Sequence, residues 1–144
     1  MFNYRNAPLL AASTLKTAYG RSPNREQALR VAALLASAGR TSQAVDYLDT
    51  HLGAGQGALE KGKYLYRARR FAQAESEFRK QLSLEDQPEA RFYLALCAWE
   101  RSDWKTARHE LEHIADLKVF RARTASYLTV LADLDQIDAP PPQE

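Results

Sequence analysis

The residues of this chain whose types and spacing could do chemistry are His109-Glu110-Leu111-Glu112-His113, a literal His-Glu-x-x-His. On a helix, histidines four apart share a face and can hold zinc while the glutamate activates a bound water. The sequence around them argues against that use. Sites of this kind take a third ligand downstream, either a histidine beyond a glycine bend or a glutamate. Ile114-Ala115-Asp116-Leu117 contains no glycine, and no glutamate follows Glu112 until Glu144. Glu112 also puts charge where such helices are usually apolar. The expectation is a solvated pair of histidines, with no metal and no catalysis.

No other residues are arranged as a catalytic group. His51 stands alone, the serines lack a nucleophile elbow, and the carboxylates fall where ion pairing on helix surfaces accounts for them. Gly53 to Gly57, GAGQG, is the only glycine cluster. No strand precedes it and no Gly-Lys-Ser/Thr closes it, so it reads as a connection and not as a phosphate cradle. Cys97 falls on the apolar side of its helix and is expected to be inert. As the single cysteine it excludes an internal disulfide and a multi-cysteine zinc site within one chain. The strongest charge run, Lys61, Lys63, Arg67, Arg69 and Arg70, is opposed locally by Glu60 alone. It is either a solvated face or a place for an anionic partner segment.

The elements that must position these residues are helical. Between Pro88 and Ile114, apolar or small residues recur at Ala90, Leu94, Cys97 and Ala98, then at Trp104, Ala107, Leu111 and Ile114, the spacing of two amphipathic helices. Ser102-Asp103 leaves no room for a long connection, so the two fold back as an antiparallel hairpin. Ala107 has counterparts at Ala74, Ala44 and Ala11, separated by 33, 30 and 33 residues. Four residues after each comes a large apolar group: Leu111, Phe78, Leu48 and Leu15. The turns repeat as Ala38-Gly39-Arg40, Ala68-Arg69-Arg70 and Arg101-Ser102-Asp103, and a small residue recurs in the first helices at Ala32, Gly62 and Ala95. Helices are read over Asn24 to Ser37, capped by Ser22-Pro23, and over Thr41 to Leu52, Ala58 to Ala68, Phe71 to Leu82 and Val119 to Asp135.

A period of ~34 residues with helix, turn, helix, small residues at the crossing and an aromatic opening the second helix (Phe71, Trp104) resembles the tetratricopeptide repeat. The resemblance implies an all-α, right-handed α-solenoid of antiparallel helical hairpins with about seven to eight helices. Residues 1–135 form one domain, with repeats at 24–53, 55–84 and 88–117, half-repeat helices at 7–20 and 119–135, and a flexible tail at 136–144. Lys61 departs from the pattern, sitting where it wants a large apolar residue, and His51 and Gln81 sit where it wants a small one. The lone second-type helix at the start fits either an excerpt of a longer array or an unrepeated beginning.

Composition agrees with a globular domain. The hydrophobic share of 45% and charged share of 26% are ordinary, and no run reaches the ~18 apolar residues of a membrane span. A net charge of +2 argues against nucleic acid as the partner. The start MFNYRNAPLLAAS does not read as a signal peptide, which favours the cytoplasm if Met1 is the natural start.

The resemblance also implies a function: a non-catalytic interaction module or scaffold that binds a partner peptide or helix in a concave groove lined by the first helices. The groove slots include Lys63, Tyr66, Arg67, Phe92, Leu96 and Trp99, with apolar partner groups against Phe92, Leu96 and Trp99 and acidic ones near Lys63 and Arg67. The subgroup that grips a C-terminal carboxylate is not matched, because Leu29, Ala33, Glu60, Glu89 and Tyr93 occupy its slots. The alternatives are a small secretion or assembly chaperone for one client and, third, helical-repeat RNA binding through the basic run. No cofactor is implied. The final helix, apolar on more than one side, offers a route to homo- or hetero-oligomers.

Overall fold

A computed structural model of the protein describes residues 7–53 and 55–138. Ala54, within the glycine-rich connection, and the expected tail from residue 139 on lie outside the described residues. The described chain is all-helical, with no strand: α1 (Ala7–Tyr19), α2 (Arg25–Ser37), α3 (Thr41–His51), α4 (Ala58–Arg67), α5 (Phe71–Leu84), α6 (Pro88–Glu100), α7 (Trp104–Ile114) and α8 (Arg121–Asp138). Each helix packs on its chain neighbours, and α4 also touches α6. This is the packing of a helical repeat, with the first helices of successive hairpins along one side.

The three hairpin turns share one construction. The amides of Arg40, Arg70 and Asp103 donate to the carbonyls of Leu35, Leu65 and Ala98 at 2.9, 2.9 and 2.8 Å. The residue before each amide turns left-handed: Gly39 at φ 79°, Arg69 at φ 62° and Ser102 at φ 60°. This bond satisfies a carbonyl that the helix end leaves free. Only the first turn uses the glycine that the geometry favours.

The repeated small residues mark the hairpin crossings. Ala32, Ala44, Ala74, Ala95 and Ala107 are buried, as are Leu48, Phe78 and Leu111 one turn beyond the second-helix alanines. At Ala74 or Ala107, leucine overpacks the crossing and lowers stability by ~1–3 kcal/mol, measurable as an earlier urea midpoint with an unchanged slope.

Several local expectations are corrected. In α1 the buried alanine is Ala12, not Ala11, and Ala18 is exposed. α1 packs chiefly on α2, with Leu9, Leu15 and Tyr19 around Ala12, and reaches α3 through Lys16, which lies 5.4 Å from the Tyr47 ring centre, so its face is not set by a hairpin mate. The cap of α2 is Asn24, not Ser22. Its Oδ1 accepts from Gln27 N at 2.8 Å while Gln27 Oε1 accepts from Asn24 N at 2.9 Å, a reciprocal pair that Ser22 is too far upstream to make. α8 runs on to Asp138, three residues into the stretch read as tail, because the prolines that end it begin only at Pro140.

The larger correction concerns charge inside the protein. Lys61 is 6% exposed, held by Asp49 of α3 at 2.6 Å and Glu77 of α5 at 3.5 Å. Burial pushes the Lys61 ammonium pKa down, and these two carboxylates more than reverse it, leaving it above its ordinary value. Glu75 is buried between Arg79 at 2.9 Å and Arg101 at 2.7 Å. The slot that read as a misplaced charge is an ion-paired position joining three helices.

Candidate functional site

The His-Glu-x-x-His residues stand on α7, which buries Ala107, Leu111 and Ile114. That register leaves His109 and His113 exposed, their rings 6.4 Å apart, and turns Glu110 inward. Glu110 is 7% exposed and accepts from Arg91 Nη1 at 2.8 Å, while Arg91 Nε donates to Asp86 at 2.7 Å. The carboxylate that would activate a water is therefore committed to a guanidinium of α6. Among the described residues no three histidine, cysteine or acidic groups stand together as metal ligands. Cys97 is fully buried, and burial pushes its thiol pKa up to about 12, so it stays protonated and unreactive.

The six groove residues come from two elements that touch, α4 and α6. Lys63 is not free. Its ammonium pairs with Glu89 at the start of α6 and lies 5.4 Å from the Tyr93 ring centre. Tyr66 is half-buried, meeting Phe71 at 5.6 Å and Tyr93 at 5.8 Å, both edge to face. Burial raises its hydroxyl pKa, with Glu100 and Tyr127 adding to the effect. Arg67 is exposed and beside the α2–α3 turn, lining a small cavity with Gly39, Thr41 and Tyr64.

Phe92 and Leu96 are 9% exposed each, in a cluster with Leu111, Ile114 and Leu131. Phe92 is covered by α8 and the residue before it, with Phe120 at 5.7 Å and Tyr127 at 6.5 Å. Trp99 is half-buried, 5.2 Å from Trp104 and 5.0 Å from Tyr127, both near perpendicular. α8 therefore continues the row of first helices, and its side chains roof part of the expected groove floor.

A connected chain of rings results: Phe71 to Tyr66, Tyr93, Phe92, Tyr127, Trp99 and Trp104. Its half-buried members are rigid, with few rotors and broad faces, the type of side chain that anchors an interface. Tyr93, Tyr127 and Arg123, which lies 6.0 Å from the Phe92 ring, were not among the residues assigned from sequence. The available signal was the Phe120 and Tyr127 spacing in the last helix, which extends the aromatic spacing of α6 onto its neighbour.

Comparison of the chain with protein-family models, with curated proteins and with solved structures gives no match.

Proposed function

We propose that the protein is a non-catalytic interaction module of tetratricopeptide-like hairpins, which binds a partner polypeptide along the face shared by α4, α6 and α8. The observation that carries this reading is the aromatic row that crosses three helices, with Tyr66 and Tyr93 half-exposed at one end, Tyr127 and Trp99 half-exposed at the other, and the buried Phe92 joining them. Phe92 and Leu96 support it from below and are not themselves the contact surface. Arg67 and Arg123, exposed at its margins, favour a partner with acidic groups beside its apolar ones. The commitment of Glu110 to Arg91 supports a binding role over hydrolysis.

Trp99→Ala is expected to weaken partner binding by ~2 kcal/mol or more while the helical circular dichroism spectrum is retained. Isothermal titration with a partner captured on the wild-type protein measures it. Unchanged affinity with the fold intact removes Trp99 from the site. The chaperone reading keeps the same face but requires a stoichiometric client, which light scattering of the co-purified complex distinguishes from a peptide in exchange.

A further inference from the structure

The five cations of the basic run are separated by the fold. Lys61 is held between Asp49 and Glu77, and Lys63 is paired with Glu89, so neither is available to a ligand. The remaining three gather at the hairpin turns with an arginine from elsewhere in sequence. Arg70 reaches back to Ser42 Oγ at 2.8 Å, and Arg67 lines the cavity beside Gly39 and Thr41, which flank Arg40. Among the described residues Arg40, Arg67 and Arg70 have no acidic group within salt-bridge distance, and Arg69 has one remote contact, Glu100 at 3.8 Å. Asp46 and Glu77 share a surface hollow with Arg70, Glu77 being already paired with Lys61 and Lys80.

Arg69 adds an independent observation. Its φ of 62° is one that a side chain makes unfavourable, in a position that the first hairpin gives to Gly39. Its side chain is 75% exposed, with the guanidinium 5.3 Å from the Phe71 ring centre, and its contact with Glu100 is too long and too solvated to compensate. Ser102 takes the same left-handed φ in the third turn, so the turn imposes the conformation, and what sets Arg69 apart is that a long, exposed cation occupies it. The starts of α3 and α5 on the same edge also carry no acidic residue in the first turn and no side-chain cap, leaving amides that favour an anion.

We infer that the arginine edge formed by the α2–α3 and α4–α5 turns, Arg40, Arg67, Arg69 and Arg70, binds a carboxylate-rich segment of a partner polypeptide. Guanidinium groups pair with carboxylates through two parallel hydrogen bonds, which suits closely spaced aspartates and glutamates. Single-stranded RNA fits less well, since it needs open rings to stack on, and here Tyr64 is buried and Phe71 lies beneath Arg69. The inference rests on the proposed function in one respect, that Arg67 follows Tyr66 on α4 and so joins the edge to the aromatic row.

The test uses a fluorescein-labelled oligo-glutamate peptide, with binding read by fluorescence anisotropy at low ionic strength. Arg69→Gly is expected to melt at a higher temperature than the wild type and yet bind the peptide about fivefold more weakly or worse. Arg67→Glu combined with Arg70→Glu is expected to lower affinity by about tenfold or more. Trp99→Ala is expected to leave this binding unchanged, which separates the arginine edge from the aromatic row. The inference is overturned if Arg69→Gly binds oligo-glutamate as tightly as the wild type, or if labelled oligo-uridine binds more tightly than the peptide.

Discussion

Replacing Gly62 by alanine lowers the stability of this protein by about 1–2 kcal/mol, and replacing it by valine lowers it by about 3 kcal/mol or more. In an exposed helix the alanine change would do the opposite, because glycine costs ~1 kcal/mol relative to alanine in a helix interior. The sign is reversed by one neighbour. A Cβ built on Gly62 would stand 2.5 Å from Cε1 of Phe78 and 2.8 Å from its Cζ. Phe78 has no exposed surface and lies against Tyr93, its ring stacked at 5.6 Å, so the ring cannot withdraw without moving α6. Valine adds two methyl groups to the same space and regains little helix propensity. In a double-mutant cycle Phe78→Leu should partly rescue Gly62→Ala, a coupling of ~1 kcal/mol that identifies the clash as the cause. If Gly62→Ala raises the melting temperature, the close approach of α4 and α5 is wrong.

Lys61→Ala is expected to cost about 2–4 kcal/mol, below the upper range for a broken buried pair because Asp49 is 55% exposed and stays solvated. Most of the loss comes from Glu77, whose side chain is 12% exposed and would keep only Lys80, a solvated cation at 3.2 Å, in place of its buried one. The double variant Lys61→Met with Glu77→Leu restores an apolar contact of similar volume and should recover most of that loss. Urea denaturation of the two variants beside the wild type checks both statements, and a double variant as unstable as Lys61→Ala contradicts them. The linkage has a definite sign. Because the folded pKa of Lys61 lies above its ordinary value, its contribution is complete below that value and fades as pH rises through the folded one. A stability profile that falls in the alkaline range for the wild type, and less steeply for Lys61→Met with Glu77→Leu, is the expected result.

These two positions also show what the sequence discloses. Gly62 could be assigned to the crossing because small residues recur there at Ala32 and Ala95, and steric demand at a helix crossing acts on residue size alone. Lys61 could not be placed, since a buried lysine is indistinguishable from a surface one until its partners are known. Those partners lie on other helices, at Asp49 and Glu77. A signal was present: Glu77 and Glu110 fall one residue before Phe78 and Leu111, the same slot in successive hairpins, and each meets a cation of its own first helix, Lys61 at 3.5 Å and Arg91 at 2.8 Å. All three turns are legible from their repeat, but Gly39 alone signals the left-handed residue, because neither Arg69 nor Ser102 is of a type that favours that conformation.

The aromatic row was legible in part. Tyr66, Phe92 and Trp99 are groove slots that the repeat resemblance implies, but how much of each stays open depends on α8 and the residue before it, whose rings Tyr127 and Phe120 lie against α6. The angle at which one helix covers another is set by packing across the whole interface and cannot be read from either helix separately.

Site-specific photo-crosslinking tests the central claim most directly. A benzophenone side chain placed at Tyr66 or at Trp99, on the first helices, is expected to join the protein to a discrete partner polypeptide in cells. The same group at Thr50 or Glu112, exposed on the second helices, is expected to give none. Adducts of equal yield from both sets of positions, or adducts from Thr50 and Glu112 alone, would contradict the assignment of the binding face.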